Sequence, residues 1–136
     1  MAEETPVIAQ YNKLKSEHPD DVLFFRLGDF YEMFNEDAVE VSRLLNRTLT
    51  HRADNPMCGI PYHASKIYIA RLLRMGKKIA IAEQIGEPAK KGLTERRVVE
   101  VITPGTATES EYLDGGVNNF LACAYSSGAK RAVAFI

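Results

Sequence analysis

Little in this 136-residue chain offers the chemistry of an enzyme. Its two cysteines, Cys58 and Cys123, are isolated, and Cys58 and His63, with only His51 near them in sequence, miss the usual zinc spacings. Gly76-Lys77 would close a phosphate loop, but Arg71 stands where the first glycine is required. The segment Glu83-Gln84-Ile85 lacks the lysine that a metal-dependent nuclease would place after its glutamate. No Ser/His/Asp or Cys/His set can be assigned from spacing. Neither catalysis nor a bound metal is therefore expected. Apolar runs approaching the length of a membrane span are missing as well, so a soluble chain without a membrane partner is expected. With no signal peptide, the cysteines are expected to be reduced thiols in a cytoplasm. Internal repeats and low-complexity tracts are also lacking.

What is present suits an ordinary globular core: 46% of residues are apolar. At this length the chain is one domain, or one domain plus the start of another. The net charge of −1 hides a strong polarity along the sequence. Residues 1–40 hold 3 basic against 10 acidic residues, and residues 41–100 hold 12 against 5. A basic middle segment is what phosphate contacts use. Arg52, Lys66, Arg71, Arg74, Lys77, Arg96 and Arg97 are its candidates, although each taken singly also fits a solvated face.

Local signals alternate helix and strand. Thr5-Pro6 is a helix start, Thr as cap and Pro in the first turn, and Val7, Tyr11, Leu14 and His18 share a face before Pro19 stops the helix. Residues 22–27 form a continuous apolar strand. Asp29 is expected to cap a second helix, with Glu32 closing a capping box and Phe34, Ala38, Val41 and Leu45 as its stripe. Residues 47–52 suggest a short strand, and residues 53–63 a loop carrying two prolines and a glycine. A third helix over 65–75 ends at Gly76. Strands follow over 78–84 and 95–102, joined by a charged loop through Pro88 and Gly92. The pattern predicts an α/β domain with a mixed sheet flanked by about three helices. Residues 106–117 look like a linker, and 120–125 and 132–136 like two strands about a turn. Two strands are not stable alone, so they are expected to open a further domain.

The segment Gly28-Asp29-Phe30-Tyr31-Glu32-Met33-Phe34 carries the sharpest signal. On spacing alone Phe30 extends the Phe34 stripe into the core, and Glu32 satisfies a backbone amide of a helix start. Together the two side chains also supply an apolar wedge and a hydrogen-bonding carboxylate. Those are the groups needed to probe a poorly stacked base, since apolar wedges are how minor-groove proteins unstack and kink a duplex.

With Asn55-Pro56-Met57-Cys58-Gly59-Ile60-Pro61-Tyr62-His63-Ala64, Ile81-Ala82-Glu83-Gln84-Ile85-Gly86 and Val101-Ile102-Thr103-Pro104-Gly105-Thr106, this segment resembles the amino-terminal part of the MutS family, the sensors of DNA mismatch repair. The four ordered blocks span most of residues 5–110. The resemblance implies a mismatch-recognition domain over residues 1–108, a linker over 109–117 and the first strands of a connector domain over 118–136. It implies that Phe30 stacks on a mispaired base and Glu32 hydrogen-bonds to that base, with Asp29 capping the helix that presents them. Pro56 and Met57 approach the minor groove, and Arg52, Lys66, Arg96 and Arg97 are candidate backbone contacts. Partners implied are mismatched double-stranded DNA, a second copy of the full-length protein and MutL. ATP and Mg²⁺ are implied only for a carboxy-terminal domain that this chain lacks, and the setting is a bacterial, nucleoid-associated cytoplasm. The rival reading is a structural or protein-interaction domain in which Phe30 and Glu32 merely close a helix, and a buried Phe30 ring would favour it. A small-molecule enzyme ranks third, for want of convergent titratable groups.

Overall fold

A six-stranded mixed sheet with helices on both faces organises the chain, which the computed structural model describes over residues 4–87 and 92–136. Residues 1–3, part of the expected frayed terminus, and residues 88–91 of the charged loop lie outside the described residues. In chain order the first helix is α1 (Pro6–Glu17), followed by the strands β1 (Val22–Leu27) and β2 (Phe30–Phe34), and then α2 (Asn35–Leu45). Next come β3 (Thr50–Arg52), β4 (Asn55–Pro61), a 3-10 turn over Tyr62–Ala64, α3 (Ser65–Arg74), β5 (Ile79–Gln84) and β6 (Arg96–Ile102). The sheet order is β3-β4-β2-β1-β5-β6, with only β1 and β5 parallel. A separate two-stranded sheet pairs β7 (Ala122–Ser127) with β8 (Lys130–Phe135).

Strand alternation divides the core in two. Val22, Phe24, Tyr31, Met33, Cys58, Ile60, Ile79 and Ile81 face α2 and α3 and pack on Ala38, Val41, Leu45, Ile69 and Leu72. Leu23, Phe25, Phe34, Ala80 and Ala82 face the other way, under Ile8, Tyr11 and Leu14 of α1. Helix α1 starts where Thr5-Pro6 places it, with the Ile8 amide donating to Thr5 Oγ1 at 3.4 Å. Its hold on the sheet is polar as well as apolar. Buried Asp37, in the first turn of α2, accepts the Tyr11 hydroxyl at 2.7 Å, the Leu23 amide at 3.0 Å and Lys15 Nζ at 2.9 Å.

The structure departs from the sequence expectation at the second helix. Residues 30–34 are a strand, and the helix begins only at Asn35, which turns the chain through φ +55°. Leu27 pairs with Phe30, so Gly28-Asp29 is the two-residue turn of a hairpin. Gly28 sits there at φ +59°, a left-handed conformation that glycine adopts without steric cost. Asp29 therefore caps nothing: α2 starts after Phe34 with no side-chain cap, and the Asp29 carbonyl accepts the Tyr62 amide at 2.8 Å.

The loop expected over 53–63 is a second correction, since Asn55–Pro61 is strand β4 between β2 and β3. Pro56 lies before the first residue paired to β2, and Pro61 is the last residue of the strand, so neither missing N–H interrupts the inner ladder. Residues 106–117 contain no helix or strand, yet Ala107 is buried and Tyr112 and Leu113 pack against the α2–α3 side of the core. No helix among the described residues is long and apolar enough to cross a membrane.

Candidate nucleic-acid interface

One row of side chains on the α1 face outruns the helix that covers it. Phe30, Glu32 and Phe34 alternate along β2 and point to the same side, with Pro61, Gly59 and Met57 opposite them on β4. Phe34, at the covered end, is fully buried and meets Tyr11 edge-on, ring centroids 5.0 Å apart. Phe30, at the open end, leaves 45% of its surface to solvent. The same strand periodicity that makes Phe34 core thus makes Phe30 an exposed aromatic, because α1 does not extend over it.

Gly59 sets the bed for that ring. A Cβ built there would meet Phe30 Cδ1 at 3.6 Å and Met57 Sδ at 3.8 Å, so the two apolar side chains close around a position that carries none. A side chain longer than alanine at 59 would have to displace the ring. Gly59 was legible only as part of a motif, since its value lies in a cross-strand register that a loop assignment hides.

Glu32 is only 6% exposed and lies between Phe25 on β1 and Gly59 on β4. Its carboxylate is held by both donors on one edge of Arg52: Nε to Oε2 at 2.9 Å and Nη2 to Oε1 at 2.8 Å. Bidentate pairing of this kind is what lets a carboxylate sit so deep beside aromatic carbon. Arg52 precedes the Ala53-Asp54 turn of the β3–β4 hairpin, where both central residues have positive φ.

Behind this row, Tyr31 points to the opposite face. Its hydroxyl bonds Glu83, which also pairs with Arg26 Nη1 at 3.6 Å. Burial, and then the Glu83 hydrogen bond, push the Tyr31 phenol well above the ordinary tyrosine range. The Arg26 guanidinium stacks on the Tyr62 ring at 3.5 Å from its centroid. Arg26, Tyr31, Tyr62 and Glu83 thus pin β2 from behind, a set with no spacing signal because four separate elements supply it.

The remaining sequence candidates scatter. Met57 joins the Phe30 row, whereas Pro56 alternates to the other side and faces Val39 and Arg43 of α2. Lys66 lies on the α3 side, paired to Glu109 at 2.7 Å and Glu111 at 3.1 Å, and those hydrogen bonds raise its pKa. Arg97 is exposed and paired to Glu95. Arg96, a candidate phosphate contact by sequence, is turned into the domain. It is 4% exposed, donates to the carbonyls of Arg26 and Thr94 at 2.5 Å, and lies over the Phe25 ring, with burial pulling its pKa down. The charge polarity of the sequence resolves partly into ion pairs between its segments: Lys77 with Glu40, Lys78 with Asp21, and Arg52 with Glu32.

This fold is that of a known family. Residues 5–111 match the family described as MutS domain I, and the chain belongs to it. It is 65% identical over 127 residues to a protein of Treponema denticola named DNA mismatch repair protein MutS, covering 93% of this chain and 14% of that protein. Proteins of the same name from Treponema pallidum and Sorangium cellulosum are 49% and 56% identical, over 100% and 93% of this chain and 15% and 14% of their own lengths. The chain thus spans about one-seventh of the curated relatives it matches.

Proposed function

We propose that this chain is the mismatch-recognition module of a MutS-type repair sensor, reading a duplex from the minor groove with Phe30 as wedge and Glu32 as the carboxylate that bonds the probed base. The observation that carries this is the Phe30 ring, large, apolar and 45% exposed, one pleat from a carboxylate on a rigid sheet. An exposed ring is also what the rival reading, a structural domain that closes on Phe30, does not call for.

Mismatches differ too much in donor and acceptor pattern for fixed readout. What they share is a step that is cheap to unstack and kink. An aromatic that stacks on one base returns about 1–3 kcal/mol. Opening a step costs a few kcal/mol, less where pairing is faulty. Insertion is then near balance at a mismatch and unfavourable in matched DNA. A carboxylate close to phosphates adds a penalty that a hydrogen bond to a displaced base helps to offset. Met57, against Gly59 beside the ring, widens the wedge, and Pro56 stiffens the strand that bears it.

The same reading places the recognition domain at residues 1–108, a linker at 109–117 and the opening strands of a connector domain from 118. The full-length protein acts in the cytoplasm at the nucleoid as a homodimer, with MutL downstream. ATP and Mg²⁺ belong to parts of that protein beyond this chain. Among the described residues no three His, Cys, Asp or Glu side chains converge to hold an ion, and Arg71 occupies the phosphate-loop position. On this reading the role of the module is to bind DNA.

The test is duplex binding by the full-length protein, wild type against Phe30→Ala, on G·T-containing and perfectly paired DNA at one salt concentration. Mismatch preference is expected to fall about tenfold or more, the worth of one stacked base, with matched-duplex binding nearly unchanged. Preference that survives in a folded variant overturns the assignment.

A further inference from the structure

We propose that Arg52 is a bridging residue that holds Glu32 with one edge of its guanidinium and takes a DNA phosphate with the other, so that the carboxylate reaches the duplex already neutralised and fixed in place. The inference rests on the reading that the Phe30 row faces DNA.

The geometry is specific. A guanidinium offers five N–H groups in a rigid plane with two bidentate edges. Nε and Nη2 are spent on Glu32, at 2.9 and 2.8 Å. The second edge, Nη1 with the remaining Nη2 proton, has no hydrogen-bond partner among the described residues, and the Arg52 side chain is 44% exposed while that of Glu32 is 8% exposed. One arginine therefore joins a buried anion to an open anion-binding edge.

Its support is stiff. Arg52 ends β3 at a two-residue turn in which Ala53 and Asp54 stand at φ +46° and +63°, and Asn55 Nδ2 donates to the Ala53 carbonyl at 2.8 Å. A non-glycine residue holds that conformation only where its surroundings fix it.

The arrangement removes a difficulty in the wedge reading. A lone carboxylate beside a ring bound for a polyanion would repel every duplex, matched or not. Paired to Arg52 it presents almost no net charge, and a phosphate on the free edge sets the distance between backbone and carboxylate. Phosphate capture and base probing become one event, with Arg52 as a positioning residue. Lysine cannot substitute, because a point charge has no second edge.

The experiment is a double-mutant cycle in the full-length protein: Arg52→Gln, Glu32→Gln and the pair, with Arg52→Lys and Phe30→Ala alongside, on G·T and matched duplexes over a salt series. Arg52→Gln alone leaves Glu32 buried without its partner. The double variant replaces both by amides and keeps a folded comparator, checked by its melting curve. With Glu32 present, Arg52→Gln is expected to weaken binding to both duplexes about tenfold or more. In the Glu32→Gln background the loss should shrink to about threefold, the worth of an exposed ion contact. The slope of log affinity against log salt should drop by roughly one, and Arg52→Lys should not restore the wild-type values. Equal losses in both backgrounds, an unchanged slope or full rescue by lysine each overturn the bridge. If Phe30→Ala removes mismatch preference while the cycle is additive, the bridge alone fails. If Phe30→Ala leaves preference intact, the reading of the patch falls and the bridge with it.

Discussion

Replacing Asp37 tests how α1 is held on the sheet, and hence where its cover ends. The carboxylate is nearly buried and receives three donors: the Tyr11 hydroxyl, the Leu23 amide and Lys15 Nζ. Asp37→Ala leaves the Leu23 N–H without its acceptor inside the core. The Tyr11 hydroxyl is left with only the 3.5 Å contact to the Phe34 carbonyl, whereas Lys15 keeps the Asp21 carbonyl at 2.6 Å. Stranded buried donors cost about 1–3 kcal/mol each, which puts the variant at about 3–5 kcal/mol. Asp37→Asn keeps an oxygen for both buried donors and loses only the pair with part-exposed Lys15, about 1 kcal/mol. At roughly 3–5 °C per kcal/mol for a domain of this size, Tm should fall by about 10 °C or more for alanine and by about 5 °C or less for asparagine. Thermal and urea unfolding followed by circular dichroism gives both numbers, with the denaturant slope unchanged if the denatured state is the same. Combining Tyr11→Phe with Asp37→Ala should cost less than the sum, because the stranded hydroxyl has gone. If the alanine and asparagine variants agree within about 0.5 kcal/mol, the carboxylate does not act through its buried donors and the argument fails.

Two further outcomes follow from the same core and its neighbour. Burial, and then the Asp37 charge, hold the Tyr11 phenol well above the ordinary tyrosine range, so its contribution is whole below the unfolded value near 10 and is lost as pH climbs toward the folded value, by up to about 1.4 kcal/mol per pH unit. Urea midpoints between about pH 9 and 11.5 should therefore fall more steeply for wild type than for Tyr11→Phe, and parallel curves would refute the assignment. A Cβ on Gly105 would lie 2.9 Å from the Phe120 carbonyl oxygen and 3.3 Å from Leu121 Cα. Gly105→Ala should thus raise protease cleavage around residues 114–121 and leave the melting of the six-stranded sheet nearly unchanged, whereas an unchanged digest would show that the contact is not needed.

Elements whose signals are local were legible in the sequence. Thr5-Pro6 and Pro19 bracket α1, the Val-Leu-Phe-Phe run is β1, and Gly76, at φ +79°, follows α3. Residues 29–34 failed for a physical reason. Asp29-x-x-Glu32 has the spacing of a capping box, and a four-residue interval between Phe30 and Phe34 satisfies a helix and a strand alike, since two pleats and one turn both return to the same face. What decided for the strand was the partner: β1 on one side and β4 on the other, the second of them hidden by prolines that happen to lie at its ends. The site followed the same rule. Phe30 and Glu32 were visible as a motif, while the Arg52 clamp, the Gly59 bed and the Tyr31–Glu83–Arg26 support depend on cross-strand register. Arg96 illustrates the converse, a basic residue in a basic segment that the fold spends on two carbonyls and a ring.

On the proposed reading, this distribution of charge divides the work of recognition. Attraction to DNA scales with the number of phosphates neutralised by free cations. Here the cations nearest the wedge are largely committed: Arg26 to Glu83 and the Tyr62 ring, Arg96 to the interior, and Arg52 by one edge to Glu32, which leaves its other edge for a single phosphate. A surface so arranged offers few phosphate contacts beyond that of Arg52, and an exposed ring beside a masked carboxylate adds no general affinity. Its free energy is realised only when a base leaves the stack. Tight, sequence-independent grip must then come from other parts of the full-length protein, and the domain supplies the term that differs between one duplex and another. Weak binding by the domain alone is in this light a condition of its selectivity, because each phosphate contact added here would raise matched and mismatched DNA together.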